Sequence, residues 1–226
     1  MSALPDTALI RLLQLTSPAL PVGAFAYSQG LEYAAHAGWI ADEATALDWL
    51  RGVLAGPLSH VDLPLLRRMH AAWSQGDVIE VQRLSVFLLA CRESRELELE
   101  DIQLGRSLAR VLTGHGIEAA KNWTRAPEAT LAALHALAAT TWQIPERAAL
   151  LGYVFTWAEA QVGALSRLLP IGQLAVQRIL AAVTDGAPAA VDIALLLPED
   201  DIGAFAPSHA LGSALHETQY TRLFRS

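Results

Sequence analysis

Seven histidines, one cysteine and a dense run of acids are the residues of this chain whose types could carry chemistry. The histidines are His36, His60, His70, His115, His135, His209 and His216. A metal site read from sequence needs two of them one helical turn apart with a third ligand close by, or the His-Glu-x-x-His pattern. After His216-Glu217 the chain gives Thr218-Gln219-Tyr220, with no second histidine where that pattern requires one. The single cysteine, Cys91, leaves no intrachain disulfide and no Cys-x-x-Cys motif. Ser28 and Ser166 lack a nucleophile elbow, and no phosphate loop or dinucleotide fingerprint is present. The remaining catalytic reading is a metal hydrolase using His216, Glu217 and a distant acid. The sequence itself assembles no active site, metal centre or cofactor motif.

The charges point to recognition instead. Between Arg92 and Asp101 stand Arg92, Glu93, Arg95, Glu96, Glu98, Glu100 and Asp101. On a helix, Arg92 and Glu96 form an i, i+4 pair in the weaker order, and Glu96 repels Glu100. Such a run is either a solvated face or a face that receives arginines from a partner or from the chain's own tail. Arg222 and Arg225, flanking Leu223-Phe224, are such arginines. Arginine, tyrosine and phenylalanine are enriched at protein interfaces, and chain ends are disordered unless held. Tyr220, Arg222, Phe224 and Arg225 therefore read as a short element that orders on contact, against the alternative of a frayed end. Arg167 either opposes a helix dipole or adds a cation near a partner.

The least ordinary stretch runs from Ser17 to Glu32. Pro18 and Pro21 stiffen it, and Gly23 permits a turn that a side chain would oppose. A helix is expected from Phe25 or Ala26, with Gly30 inside it at a cost of about 1 kcal/mol relative to alanine. A glycine kept there implies a second backbone packed closely.

The elements around these residues read as helices throughout, because no stretch alternates over strand length. Expected helices run from Thr7 to Leu15 with Asp6 as cap, from Ala26 to His36, and from Asp42 to Leu54, stopped by Gly56-Pro57. Further ones span Pro64 to Trp73, then Asp77 to Leu112 as one helix or two broken near Cys91. Next come Pro127 to Thr141, Pro145 to Leu169, Pro170 to Val183, Pro188 to Leu197 and Pro207 to Glu217. Between Arg147 and Arg167 the only formal charge is Glu159, which approaches a membrane span. Glu159, Gln161, Thr156 and two glycines instead favour a central core helix.

The chain has 226 residues, is 53% hydrophobic and carries a formal charge of −7. That is enough for a single sizeable core, and the negative balance argues against nucleic acid as a partner. The expectation is one all-α domain over residues 1–226, roughly ten helices around a central apolar helix, with 218–226 as a partner-binding tail. One cysteine and no N-terminal signal segment suggest a cytoplasmic protein.

Several of these stretches resemble one family. Pro21-Val22-Gly23-Ala24-Phe25-Ala26-Tyr27-Ser28-Gln29-Gly30-Leu31-Glu32 is similar to the N-terminal signature of the UreF family of urease accessory proteins. Cys91-Arg92-Glu93-Ser94-Arg95-Glu96-Leu97 resembles its central helix, and His216 to Ser226 its tail. Asp62-Leu63-Pro64-Leu65 and Pro170-Ile171-Gly172-Gln173 are weaker matches between. Ala26 departs from the serine or threonine usual there. The resemblance implies an all-α, dimeric, non-catalytic maturation factor that bridges a scaffold accessory protein (UreD, also UreH) and the nickel-carrying GTPase UreG. It promotes nickel delivery into apo-urease, either as a bridge or as a regulator of GTP hydrolysis. The contacts so implied are Pro21, Gly23, Phe25, Tyr27, Gln29, Glu32, Arg95, Glu96, Arg167, Tyr220, Arg222, Phe224 and Arg225. From the tail's composition, Arg225→Ala or removal of the last seven residues is expected to weaken scaffold binding and leave the fold intact.

Overall fold

Local capping sets most of the element boundaries in the computed structural model, which describes residues 4–226. Helix α1, Asp6–Leu15, starts directly after Pro5, so Asp6 is its first residue and not its cap. The stiff loop that follows contains a 3-10 turn, Ala24–Ala26, entered through Gly23 at φ +88. Helix α2 is only Leu31–His36. The expected start near Ala26 is therefore corrected: Gln29 and Gly30 adopt φ of +52 and +80, which no helix contains, and Gly30 is the residue before α2. Helix α3, Glu43–Val53, begins with a capping box between Asp42 and Thr45.

Gly56-Pro57 bends the chain without ending its helical course. A π-helical segment, Leu54–Asp62, kinks at Gly56 and continues into α4, Leu63–Gln75. The stretch after Asp77 is two helices, α5 Val78–Ala90 and α6 Arg95–Gly114, capped by the Asp77 and Ser94 side chains. A 3-10 segment, Glu118–Thr124, leads to α7, Leu131–Thr141, capped by Thr130. Then come α8 Glu146–Leu168, α9 Gln173–Thr184, α10 Ala187–Leu196 and α11 Pro207–His216. The described residues contain no strand, as the all-α expectation requires.

Burial distributes these helices around α4, α7 and α8. Leu63, Leu65, Leu66 and Met69 of α4 are wholly enclosed, and Trp73 donates its indole N–H to the Ala133 carbonyl of α7 at 2.8 Å. Every residue from Ala132 to Ala139 is buried, so the innermost helix is α7. Helix α8 touches more neighbours, including α1, α2, α3, α4, α7, α9 and α10, while Phe155 and Arg167 reach its surface. By composition, Gln173–Leu196 is long and apolar enough to cross a membrane, but the chain breaks there between α9 and α10, at Asp185 and Gly186.

Candidate functional site

Three stretches far apart in sequence meet on one side of the molecule: the opening loop with α2, the N-terminal half of α6, and the C-terminal strap formed by α11 and residues 217–226. Backbone contact brings the first and last together. A Cβ on Gly30 would stand 2.7 Å from the Ser213 nitrogen and 3.0 Å from the Gly212 carbonyl carbon, so only glycine lets α11 lie this close. The close packing expected from the sequence is present, at a turn and not inside a helix.

Helix α6 receives the strap along Glu96 and Glu100, one turn apart on one face, with Glu93 just ahead of the Ser94 cap. Ser94 and Ser213 share a hydroxyl hydrogen bond of 2.6 Å. The Glu217 carboxylate accepts from the Arg95 and Glu96 main-chain N–H groups at 2.8 and 3.3 Å, completing the N-terminus of α6 from another segment. Arg222 donates to Glu96 Oε1 at 2.8 Å. Of the two readings of the acidic run, the docking face for the chain's own tail is the one that holds.

The end of the strap is enclosed. Glu32 accepts the main-chain N–H of Leu223 through Oε1 at 2.6 Å and that of Phe224 through Oε2 at 2.8 Å. The Arg225 N–H donates to the Ala26 carbonyl at 2.8 Å, and the Ser28 N–H to the Ser226 carbonyl at 2.8 Å. Ser226 is wholly buried and gives its hydroxyl to Glu100 Oε2 at 2.6 Å. These bonds use the main chain of four consecutive residues and the Ser226 hydroxyl, so the last residues are part of the fold. The tail is therefore not a frayed end: it is tied to the opening loop and to α6.

Gln29 joins this strap to the interior. Its amide nitrogen donates to Glu100 Oε1 at 2.7 Å, and its amide oxygen accepts from Trp157 and Gln161 of α8 at 3.1 and 3.3 Å. Beneath lies a cavity of about 110 Å³, lined by Gln29, Glu100, Asp101, Arg92, Tyr153 and His135 among others. Burial pushes the Glu100 carboxyl up to about 7, against the opposing pull of the Ser226 and Gln29 hydrogen bonds. Burial lowers the His135 imidazole to about 4.

Sequence reasoning missed the ion pairs behind the cavity. Arg92 binds Asp62 through both terminal nitrogens, at 3.1 and 2.7 Å, and Asp101 through Nε and Nη2, at 3.0 and 2.6 Å. Asp101 also accepts the Leu131 N–H at 2.7 Å, which ties the start of α7 to the same group. Burial alone would lower the guanidinium, but Asp62 and Asp101 overcome it and raise Arg92 well above its usual value. Arg92 thus does not pair with Glu96. The i, i+4 rule could not find this, because the nearer partner is nine residues away; the Asp62-Leu63-Pro64 island was the available signal.

The residues singled out from the sequence divide into two groups. Tyr27, Glu32 and Phe224 are buried, and Gln29 and Glu96 partly so, all engaged within the chain. Pro21, Phe25, Arg95, Arg167, Tyr220, Arg222 and Arg225 stand at the surface. Phe25 is 69% exposed, Leu223 64%, and Tyr220 completely so. Arg167 links the loop and tail of this face: it donates to the Phe25 carbonyl at 3.0 Å and lies 5.6 Å over the Phe224 ring. Gly23, at φ +88, leads the loop into its 3-10 turn. His216 has no nitrogen free for a metal, since Nδ1 faces Glu96 at 2.7 Å and Nε2 faces Glu32 at 3.1 Å. Glu217 is committed to the start of α6, so the pair proposed for hydrolysis serves the fold.

The comparisons with known proteins agree with the islands read from the sequence. The UreF family model matches residues 40–184. Three relatives named "Urease accessory protein UreF" extend the likeness over both the opening loop and the strap. The one from Alkalilimnicola ehrlichii is 45% identical over 222 residues, covering 98% of this chain and 97% of its own. That from Azoarcus sp. strain BH72 is 45% identical over 227 residues, 96% of this chain and 95% of its own. That from Pseudomonas putida strain W619 is 44% identical over 221 residues, 98% and 99% of the two chains. By the match of its middle to the family model and of nearly its whole length to these relatives, this chain belongs to the UreF family of urease accessory proteins.

Proposed function

We propose that the chain is a urease maturation factor that works by presenting the strap face to other accessory proteins. The observation that carries this reading is the composition of that face. Phe25, Leu223 and Tyr220 are exposed beside Arg167, Arg222 and Arg225, on a chain whose formal charge is −7. Large apolar side chains among arginines are the usual anchors of a protein interface, and the main-chain bonds beneath fix them in advance, which lowers the ordering cost on binding. The scaffold accessory protein (UreD or UreH type) is the partner assigned to this face. The nickel-carrying GTPase (UreG type) binds the same assembly, which then delivers nickel to apo-urease in the cytoplasm, with this chain as a homodimer and without chemistry of its own.

Co-expression with urease and the other accessory proteins, scoring complex recovery and nickel per urease, tests the reading. A double substitution of Phe25 and Tyr220 to alanine should leave the chain folded and reduce both quantities. Unchanged recovery and nickel content would overturn it. GTP turnover of the GTPase measured with and without the chain separates a bridge from a regulator of hydrolysis.

A further inference from the structure

A surface helix needs one apolar stripe to hold it to the core, and α5 carries two. The inner one is Val81, Leu84, Ser85 and Leu88, all buried where α5 packs on α4 and α7. On the outer side Ile79 and Val86 stand two turns apart, 80% and 57% exposed, with Ala90 one turn further on. The 3.6-residue repeat puts these three close to one line about 16 Å long. The line ends in a groove lined by Val86, Leu89, Ala90, Pro127, Glu98 and Glu128. Its walls are thus apolar, and its only charges are two carboxylates.

Those carboxylates are free of cations. Glu98 is exposed, and Glu128 accepts from the neutral Gln82 amide at 3.1 Å. Neither forms an ion pair among the described residues. The arginines nearby are engaged elsewhere. Arg83, at the edge of the outer stripe, is bound by Glu80 and Glu199, each at 2.7 Å. Arg106 is turned to the Ala126 and Arg125 carbonyls, and neither Arg95 nor Arg125 lines the groove. Glu98 lies two residues from both Glu96 and Glu100, about 200° round α6 from the side that holds the strap.

We propose that the outer stripe of α5 and this groove form a second docking surface, whose occupant is a basic amphipathic helix of a partner protein. A line of apolar side chains about three turns long receives the i, i+3, i+4 and i+7 anchors of such a helix. Lysines or arginines flanking those anchors reach Glu98 and Glu128, which repel an acidic or neutral-flanked competitor. A second copy of the chain fits worse. Seated groove to groove, it would bring both pairs of unpaired carboxylates together on two chains that each carry −7. Seated with any other surface in the groove, it would make a contact that does not close and would grow into filaments.

The test uses two dye-labelled helical peptides of about five turns, one with leucines on one side and lysines on the other, its counterpart with glutamates for the lysines. Fluorescence anisotropy with the full chain should show binding of the leucine–lysine peptide. Val86→Asp, or Glu98→Lys combined with Glu128→Lys, should weaken it at least about tenfold. Both changes fall on side chains at or near the surface, so melting temperatures should stay at wild type. If Val86→Asp lowers its own, the charge-reversed pair decides. Phe25→Ala with Tyr220→Ala should leave the affinity unchanged, which keeps this surface and the strap-face reading separately testable. Equal affinity of wild type and groove variants, or equal binding of the leucine–glutamate peptide, would overturn the proposal. So would a wild-type dimer that Val86→Asp turns into a monomer, since a second copy would then be the occupant.

Discussion

Gly30 and Ser213 approach so closely that a Cβ on the glycine would stand 2.7 Å from the serine nitrogen. Neither atom belongs to a flexible side chain, so α2 and α11 would have to separate to admit one. Gly30 also sits at φ +80, where an L side chain is strained. Gly30→Ala should therefore cost about 1–3 kcal/mol from overpacking, beyond the strain of the left-handed conformation. Thermal unfolding should show a drop of several degrees. An unchanged melting temperature would mean that the strap does not press on the turn.

Arg92 is the one cation between two buried acids, and removing it strands them. Arg92→Ala should cost about 3–5 kcal/mol, as expected when one partner of a buried ionic group is deleted. Urea unfolding measures this directly. Because Asp101 also holds the Leu131 N–H, Asp101→Asn should destabilise as well, but its amide oxygen can keep that bond and the loss should be smaller.

Two buried groups give the stability an unusual pH dependence. Glu100 is raised from 4.5 to about 7, so between those values the folded chain holds a proton that the unfolded chain does not. Its contribution is complete below the unfolded value and is lost as pH rises to about 7. His135 is lowered from 6.5 to about 4, so there the unfolded chain holds the extra proton and stability rises with pH across that window. The two slopes oppose each other over most of their range. Glu100→Gln should leave only the rise, which a series of urea midpoints from about pH 4 to about pH 8 would reveal. A curve parallel to wild type would show that Glu100 is not protonated in the fold.

Much of this arrangement was legible in the sequence because helices announce themselves locally. Asp42, Asp77, the prolines before α8 and α9 and Pro207 at the start of α11 sit at or within a few residues of the boundaries they mark. The acidic run and the arginine-bearing tail were each visible, and so was the possibility that one receives the other. The turn at Gln29 and Gly30 was not, since the residues from Ala26 to His36 fit a helix as well as they fit a turn followed by one. Nor were the destinations of Arg92 and Glu32, whose partners lie 30 and 191 residues away and are set by how helices pack.

The strap separates residues that hold the fold from residues that face outward, and that difference can be measured. The Arg225 side chain is exposed, and its main-chain N–H donates to the Ala26 carbonyl. Arg225→Ala keeps that bond, so its melting temperature should match wild type while affinity for the scaffold partner, read by calorimetry, falls. Removing the last seven residues instead strips Glu32 of two N–H donors, Glu96 of Arg222 and Glu100 of the Ser226 hydroxyl, leaving three carboxylates partly buried without them. Each unpaired group costs about 1–3 kcal/mol, so the truncated chain should melt well below wild type even without a partner. A truncated chain as stable as the full one would show that the strap rests on the molecule without supporting it.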